Sequence, residues 1–210
     1  MNKNNSPYSA SFTGCAMLYN EFVRILPLLL SADSSKALKK EIEENNLLMV
    51  NSKTSRDRFI YEFKRRFNAV PRNFWSVFPS LSESGQRIAL FYSILKAYRL
   101  LFDFQYNVSL RHWNSIDTTI SKNDILQEFN ELSSRDEFVA SWSDKTKEKC
   151  ASQYLTMLRQ SGMLNKDNTL KSPEVNPEDW DYYIKNGEEW FLEACFLYPY
   201  EIENIKTALL

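Results

Sequence analysis

The segment from Ser82 to about Tyr106 is apolar on almost every side of a helix, and this constrains the fold more than any other feature of the chain. A helix of this kind is stable only when other elements cover it, so the segment predicts the buried axis of a bundle. Charged residues interrupt the segment, and it therefore does not predict a membrane span. Its apolar positions are Ile88, Leu90, Phe91, Ile94, Leu95, Tyr98, Leu101 and Phe102.

Helical spacing also dominates the residues before this axis. A late kink or break is expected at Pro27, because proline has no N–H for the helical ladder. Two of the predicted helices follow each other across a short turn, which gives residues 1–80 the order of a helix-turn-helix-like part. Central buried helices follow over 81–116. The helices predicted in the first part cover 14–31, 34–46, 55–70 and 74–78.

The residues after the axis change character. Polar groups beginning at Ser121 and Ser143 cap two predicted helices, which end near Leu132 and Gly162. Residues 163–170 then form two short apolar patches around a polar turn, the pattern of a small β-hairpin. Two helices followed by a two-stranded wing are the order of a winged helix-turn-helix, and a small helical bundle with a hairpin is the alternative.

These patterns predict a mostly α protein, a helical bundle with two helix-turn-helix-like parts. The C-terminal part, over 117–172, is winged by the short hairpin, and acidic, aromatic helices over 173–210 complete the chain. With 43% hydrophobic and 14% aromatic residues, the 210-residue chain has enough apolar side chains for a packed core.

The net charge of -1 hides two opposed halves. Residues 1–115 carry 16 Lys+Arg against 9 Asp+Glu, and residues 116–210 carry 10 against 18. The first half therefore has a net charge of +7 and the second of -8. Overall neutrality is thus no argument against a polyanionic partner, because a basic surface depends on where the cations lie.

The strongest basic cluster lies in residues 51–72, with seven basic residues against two acidic ones. At 100° per residue, Arg58 and Arg65 fall opposite an apolar stripe of phenylalanines, and Lys64 and Arg66 flank it. Such a face is what phosphate neutralisation requires, and a solvated helix face is the alternative. The predicted phosphate-binding residues are Lys53, Arg56, Arg58, Lys64, Arg65, Arg66 and Arg72.

The helix from Ser143 repeats this arrangement. Its predicted buried stripe is Cys150, Ala151, Tyr154, Leu155 and Leu158. The remaining surface combines cations with small polar and amide side chains, and Arg159 lies on it as well. This mixture suits a recognition helix, because cations bind phosphates and small polar groups reach base edges. We expect a DNA groove to be contacted by Lys145, Lys149, Ser152, Gln153 and Thr156, and the wing to present Lys166 and Lys171.

The composition argues against most familiar enzyme classes. The chain has one histidine, four glycines and three widely spaced cysteines, and it carries no glycine-rich phosphate-binding motif. We interpret His112, beside Trp113, as structural or interfacial. The acidic residues over 178–193 are interpreted as a solvated face, with a nuclease as the alternative. We therefore expect no catalytic residue, metal, cofactor or small-molecule substrate, and the sparse cysteines favour the reducing cytoplasm.

An ordered set of short motifs runs through the chain: Tyr8-Ser-Ala-Ser-Phe-Thr13, Arg56-x-Arg-x4-Phe63-Lys-Arg-Arg66, Lys96-Ala-Tyr-Arg-Leu-Leu-Phe-Asp-Phe104 with Arg111 after it, and Lys147-x10-Leu158-Arg-x-Ser-Gly162-Met-Leu164. In this order the motifs resemble the BrxA family, small proteins of the BREX bacteriophage-exclusion systems. The resemblance runs from about residue 8 to about residue 199.

The resemblance implies a cytoplasmic, mostly helical protein with winged helix-turn-helix elements that binds double-stranded DNA, and it transfers no catalytic residue. The family has also been likened to the helical antitermination factor NusB, so an RNA-binding module is the first alternative. A protein-interaction subunit that docks other BREX proteins through the acidic, aromatic residues 173–210 is the second. Our prediction is a non-catalytic double-stranded DNA-binding accessory protein of phage defence.

Overall fold

The helices that begin at Lys53 and Asp144 are each preceded by a serine whose side chain accepts a hydrogen bond from a free backbone N–H group, and the sequence predicts the cap at Ser143. Ser52 accepts from the Ser55 N–H at 3.3 Å, and Ser143 accepts from the Thr146 N–H at 3.3 Å. The computed structural model describes residues 5–209, which are mostly helical. Residues 1–4 of the predicted N-terminal part and Leu210 lie outside the described residues.

The α-helices are α1 (Tyr19–Leu30), α2 (Ser34–Glu44), α3 (Lys53–Asn68), α4 (Arg72–Val77), α5 (Glu83–Ala97), α6 (Arg99–Phe104), α7 (Leu110–Trp113), α8 (Lys122–Arg135), α9 (Glu137–Ala140), α10 (Asp144–Gln160), α11 (Asp181–Lys185), α12 (Trp190–Ala194) and α13 (Pro199–Ala208). Short 3₁₀ turns cover Ser11–Gly14, Phe78–Ser80 and Pro177–Trp180, and a π-helical turn covers Gln105–Ser109. Within residues 5–209, no helix combines the length and the apolar character that crossing a membrane requires.

The predicted axis is buried, but it is not one helix. α5 is buried continuously from Ile88 to Leu95, and it ends at Ala97 because Tyr98 adopts an extended conformation (φ -133°, ψ 101°). The Tyr98 hydroxyl donates a hydrogen bond to Glu62 of α3, and the Arg65 guanidinium lies 4.2 Å from the centre of the Tyr98 ring. Packing against α3 therefore interrupts the helix at a position that no glycine or proline marks.

The C-terminal residues 173–209 belong to the core rather than to a separate tail. The ring of Tyr92 on α5 contacts the rings of Phe74, Tyr183 and Phe191, with centroids 5.0 to 5.2 Å apart. Such edge-on and tilted aromatic contacts add to the stability that burial alone provides. The N-terminal and C-terminal parts of the chain thus share one aromatic core around α5.

The first helix begins at Tyr19, five residues later than the sequence predicts, because Leu18 is left-handed (φ 50°). The residues before it form an irregular segment, here called the N-terminal segment (residues 5–18), in which Phe12 and Met17 are fully buried. Buried backbone carbonyls without helical partners need other donors. Arg66 of α3 supplies three of these bonds, to the carbonyls of Cys15, Ala16 and Met17 at 2.6 to 2.8 Å.

We predict that Arg66→Ala lowers the free energy of unfolding by about 3–5 kcal/mol, because it leaves two buried carbonyls and one part-buried carbonyl without a donor and the neighbouring Glu62 carboxylate without a counter-charge. Urea denaturation monitored by circular dichroism measures this change. Lys64→Ala, which removes an exposed cation two residues away, is the matched control and should change stability by no more than about 0.5 kcal/mol. Equal effects of the two substitutions would contradict the assignment.

Candidate nucleic-acid interface

α10 combines a buried face with an exposed one, as its sequence pattern predicts. The stripe of Cys150, Ala151, Tyr154, Leu155 and Leu158 is buried, and α10 packs against α8. The Tyr154 hydroxyl donates to the side chain of Gln105 at 2.7 Å, which anchors the helix to the π-helical turn. Packing on one side therefore fixes which face of α10 remains in contact with solvent.

The exposed face of α10 presents cations beside small polar side chains. Lys145 and Lys149 are exposed and form no ion pair within residues 5–209. Ser152 and Thr156 donate to the backbone carbonyls four residues earlier, both at 2.9 Å. Gln153 is half-buried, and its Oε1 atom has no hydrogen-bond donor among the described residues. The face therefore offers the unpaired charge of Lys145 and Lys149, whereas the Ser152 and Thr156 hydroxyls already donate within the helix and the Gln153 Oε1 atom is buried.

A small set of antiparallel bridges follows α10. Leu164 pairs with Leu170, and Thr119, which precedes α8, pairs with Thr169. The Asn165 N–H donates to the Thr169 carbonyl at 2.9 Å, and the Leu170 N–H donates to the Thr118 carbonyl at 2.9 Å. Three short extended segments, 118–120, 163–165 and 168–171, are thus bonded together beside α8 and α10.

The turn between the last two segments, here called the turn after α10 (residues 165–168), carries Lys166. This lysine is exposed and has no ion pair within the described chain. Asn168 adopts a left-handed conformation (φ 67°), and its side chain accepts a hydrogen bond from Arg159 at 2.5 Å. Lys171 forms a pair with Glu174 at 3.4 Å. The structure therefore attaches this turn to the C-terminal end of α10.

Two of the cations predicted to bind phosphate lie in the interior, and the prediction for them is corrected. Arg66 is completely buried, and burial lowers the pKa of its guanidinium, an effect that the nearby Tyr98 and Glu62 oppose. Arg56 is 8% exposed and donates to the carbonyls of Ile42 and Val50, both at 2.7 Å. Both guanidinium groups are buried and bonded to backbone carbonyls, so they offer no surface to a phosphate.

Four further cations of residues 51–72 also have internal partners. Arg58 donates to the Ser11 carbonyl at 3.2 Å, and Arg65 donates to the Ala97 carbonyl at 3.2 Å. Lys53 forms an ion pair with Glu43 at 2.6 Å, and Arg72 donates to the carbonyl of Leu30 at the end of α1. Only Lys64 among the seven predicted residues is exposed without such a partner in residues 5–209. Most cations of this cluster thus stabilise the fold, whereas Lys64, like Lys145, Lys149 and Lys166, is exposed without a partner within residues 5–209.

The other polar groups singled out by the sequence are also engaged. His112 Nε2 lies 3.7 Å from Asp124, at the edge of a cleft of about 370 Å³ between the π-helical turn and α8. In the acidic C-terminal residues, each of four carboxylates has its own partner. Asp179 accepts from the Ser82 N–H, and the ion pairs are Asp181–Lys185, Glu188–Lys96 and Glu189–Lys206.

Burial suppresses the chemistry of the three cysteines. It raises the pKa of the Cys15 thiol to about 11 and that of Cys150 to about 12, and it raises the pKa of Cys195 well above its ordinary value. Because the thiolate is the nucleophile, buried thiols with raised pKa values are inert.

We predict that the folded protein does not react with a thiol-specific aromatic disulfide reagent at pH 8, close to the ordinary pKa of a thiol. The same protein in guanidinium chloride should release three equivalents of chromophore, one for each cysteine. Absorbance before and after denaturation measures both values, and a rapidly reacting thiol in the folded protein would show that one cysteine is accessible.

By its fold and its exposed cations, the chain is a mostly helical protein in which a partly basic, exposed helix lies beside a small bridged turn. The BrxA family profile matches residues 6–187 of the chain. The chain therefore belongs to the BrxA family, as the ordered motifs predict.

A solved structure supports the fold. The crystal structure of an uncharacterized protein from Magnetospirillum magneticum has a TM-score of 0.77 to this chain, with 22% sequence identity. The similarity covers 90% of this chain and 98% of that one. At this identity it shows the fold alone. No curated protein matches the chain.

Proposed function

We propose that this chain is a non-catalytic accessory protein of a BREX phage-defence system that binds double-stranded DNA in the cytoplasm. Membership of the BrxA family supports the connection to BREX defence. The observation that carries the DNA proposal is the exposed face of α10, where Lys145 and Lys149 are free of acidic partners and lie beside Ser152 and Thr156.

In this proposal, residues 117–172 act as a winged helix-turn-helix. The order of an extended segment at 118–120, then α8, the short α9, α10 and two bridged segments supports it, because the later helix of a helix-turn-helix is the one that lies in the groove. α10 would enter the major groove, and Lys166 on the turn after α10 would contact the flanking backbone. α3 would act as a structural helix, since its arginines are bound to carbonyls.

The decisive experiment measures affinity for duplex DNA, single-stranded DNA and looped RNA by fluorescence anisotropy, between about 50 and 200 mM salt. We expect tightest binding to duplex, and each neutralised phosphate should contribute about 0.9 to the slope of log affinity against log salt. Tighter binding to looped RNA would favour the antitermination-like alternative. Absence of duplex binding at low salt would show that the proposal is wrong.

We predict that Lys145→Ala combined with Lys149→Ala lowers the salt slope by about 1.8 and weakens duplex binding about equally for unrelated sequences, because both lysines bind phosphates. The matched control is Lys36→Ala combined with Lys39→Ala on α2, which removes the same charge from exposed positions. If both pairs weaken binding equally, the effect is one of net charge and α10 is not the interface.

A second candidate function, docking of another BREX protein, is favoured by one specific observation. The rings of Trp113, Tyr198 and Tyr200 stack in sequence, with centroids 5.3 and 6.0 Å apart, and Tyr200 at the outer end is 65% exposed. Residues 173–210 around it carry nine acidic and two basic residues. An exposed aromatic platform in an acidic setting suits a basic partner surface.

This second function predicts that Tyr198→Ala with Tyr200→Ala abolishes co-purification with a BREX partner and leaves duplex binding unchanged. Point substitutions are needed because deleting residues 173–210 would remove core residues such as Trp180 and Phe191. The control is Arg58→Glu with Arg65→Glu. We expect this variant to lose co-purification with the partner only to the extent that thermal melting shows a loss of folded protein. Retained co-purification of the tyrosine variant would contradict docking through the stack.

A further inference from the structure

A cleft of about 550 Å³ lies between the start of α5, the C-terminal end of α10 and the residues that follow the turn after α10. Each of these three elements contributes one cation to its lining: Arg87 from α5, Arg159 from α10 and Lys171 from the extended segment. Glu174 is the acidic residue of the lining. The cleft therefore has an excess of positive charge. The cations that supply it lie more than 80 positions apart in the sequence, from Arg87 to Lys171.

Two of the three cations, Arg87 and Lys171, are held in place by carboxylates that a phosphate can replace. Arg87 forms an ion pair with Glu83 at 2.7 Å, and its guanidinium lies 4.2 Å from the centre of the Tyr19 ring. Lys171 forms its pair with Glu174 at 3.4 Å. The carboxylate side chains are 69% and 93% exposed, so these are surface pairs of small net free energy. A multivalent anion would compete for the same cations with little cost.

The remaining lining is suited to phosphate oxygens. Ser84, Gln160 and Ser161 add hydroxyl and amide groups to the wall. Arg159 is oriented by its hydrogen bond to Asn168, which fixes one edge of the guanidinium. The other N–H donors of this planar group stay available for a phosphate. Arginine binds phosphate through such a fork with defined geometry.

The position of Arg159 relates the cleft to the exposed face of α10. At 100° per residue, Arg159 falls on the same side of the helix as Lys145 and Thr156. Ten residues separate Lys149 from Arg159, which is about 15 Å along the helix axis. The major groove of DNA is about 12 Å wide, so Lys149 and Arg159 are spaced to meet the backbones on either side of one groove.

We propose that this cleft binds the phosphate backbone of the second DNA strand, opposite the strand bound by Lys145 and Lys149. The inference rests on the proposed duplex-binding function and adds a site to it. Arg87 and Arg159 are the principal phosphate ligands, and Lys171 contributes when the anion displaces Glu174. The cleft gives the protein contacts on both strands, which fixes the rotation of α10 in the groove.

The test combines Arg87→Gln with Arg159→Gln and measures duplex affinity across the same salt series. Loss of two phosphate contacts should lower the salt slope by about 1.8, and the loss should add to that of the Lys145/Lys149 variant because different strands are contacted. The matched control is Arg24→Gln with Lys185→Gln, which removes two surface cations that are also paired with acidic neighbours. Thermal melting confirms that each variant is folded.

A second variant tests the cleft through an expected gain of duplex affinity rather than a loss. Glu174→Gln removes the acidic residue from the lining and frees Lys171, so duplex affinity should rise about two- to fivefold. Glu174 has a side chain that is 93% exposed, and its replacement leaves the core intact.

The outcomes separate the two proposals. If the cleft variant keeps the wild-type slope while the Lys145/Lys149 variant lowers it, the second-strand site is wrong and duplex binding by α10 stands. A loss of affinity with an unchanged slope likewise overturns the cleft, because the phosphate contacts would then be intact. If wild-type protein binds no duplex, both proposals are wrong.

Discussion

The rest of the structure depends on the hydrogen bonds that the Arg66 guanidinium donates to the backbone carbonyls of the N-terminal segment. The N-terminal segment has almost no regular secondary structure, yet Phe12 and Met17 are buried in the core, so its carbonyls are buried as well. Arg66 donates to three of them, and the backbone N–H of Met17 in turn donates to Gln160 on α10 at 3.1 Å. This chain of bonds connects α3 to α10 through the N-terminal segment. A buried charge is tolerated here because its hydrogen bonds are to fixed carbonyl dipoles.

The same requirement explains why arginines concentrate on α3. Irregular backbone at the ends of α1 and α2 and in the N-terminal segment leaves carbonyls without helical N–H partners. Arg56 and Arg58 of α3 and Arg72 of α4 each donate to one or more of these groups, and Arg65 of α3 donates to the Ala97 carbonyl at the end of α5. The basic residues of 51–72 have the composition of a nucleic-acid interface, but their arginines mainly donate hydrogen bonds to backbone carbonyls. Exposed cations without such partners within residues 5–209 include Lys145 and Lys149 on α10.

The acidic half of the chain serves the fold in a comparable way. Asp179 accepts from the Ser82 N–H at the start of α5, and its carboxylate lies so close to Gly85 that a Cβ atom there would be 2.6 Å away. Glycine at this position therefore permits the C-terminal residues to cap the central helix. Lys96 and Glu188 form a further pair between α5 and the segment before α12, at 2.8 Å. These contacts make residues 173–209 part of the same core as the N-terminal helices.

The sequence by itself determined the helical class, the cap at Ser143, the buried stripe of α10 and the family, because each depends on local spacing or ordered motifs. It did not determine that the central axis is interrupted at Tyr98, which is extended and bonds through its hydroxyl to Glu62 on another helix. Helical periodicity also predicted that Arg66 lies beside the exposed face of α3. Periodicity gives only the angular position of a residue on its helix, and it does not show that the N-terminal segment covers that side of α3. Only the tertiary structure decided which cations stay free, and only it brought Arg87 and Lys171 to the end of α10 beside Arg159. Charge composition is a property of the chain, whereas availability of charge depends on which backbone groups the fold leaves without partners.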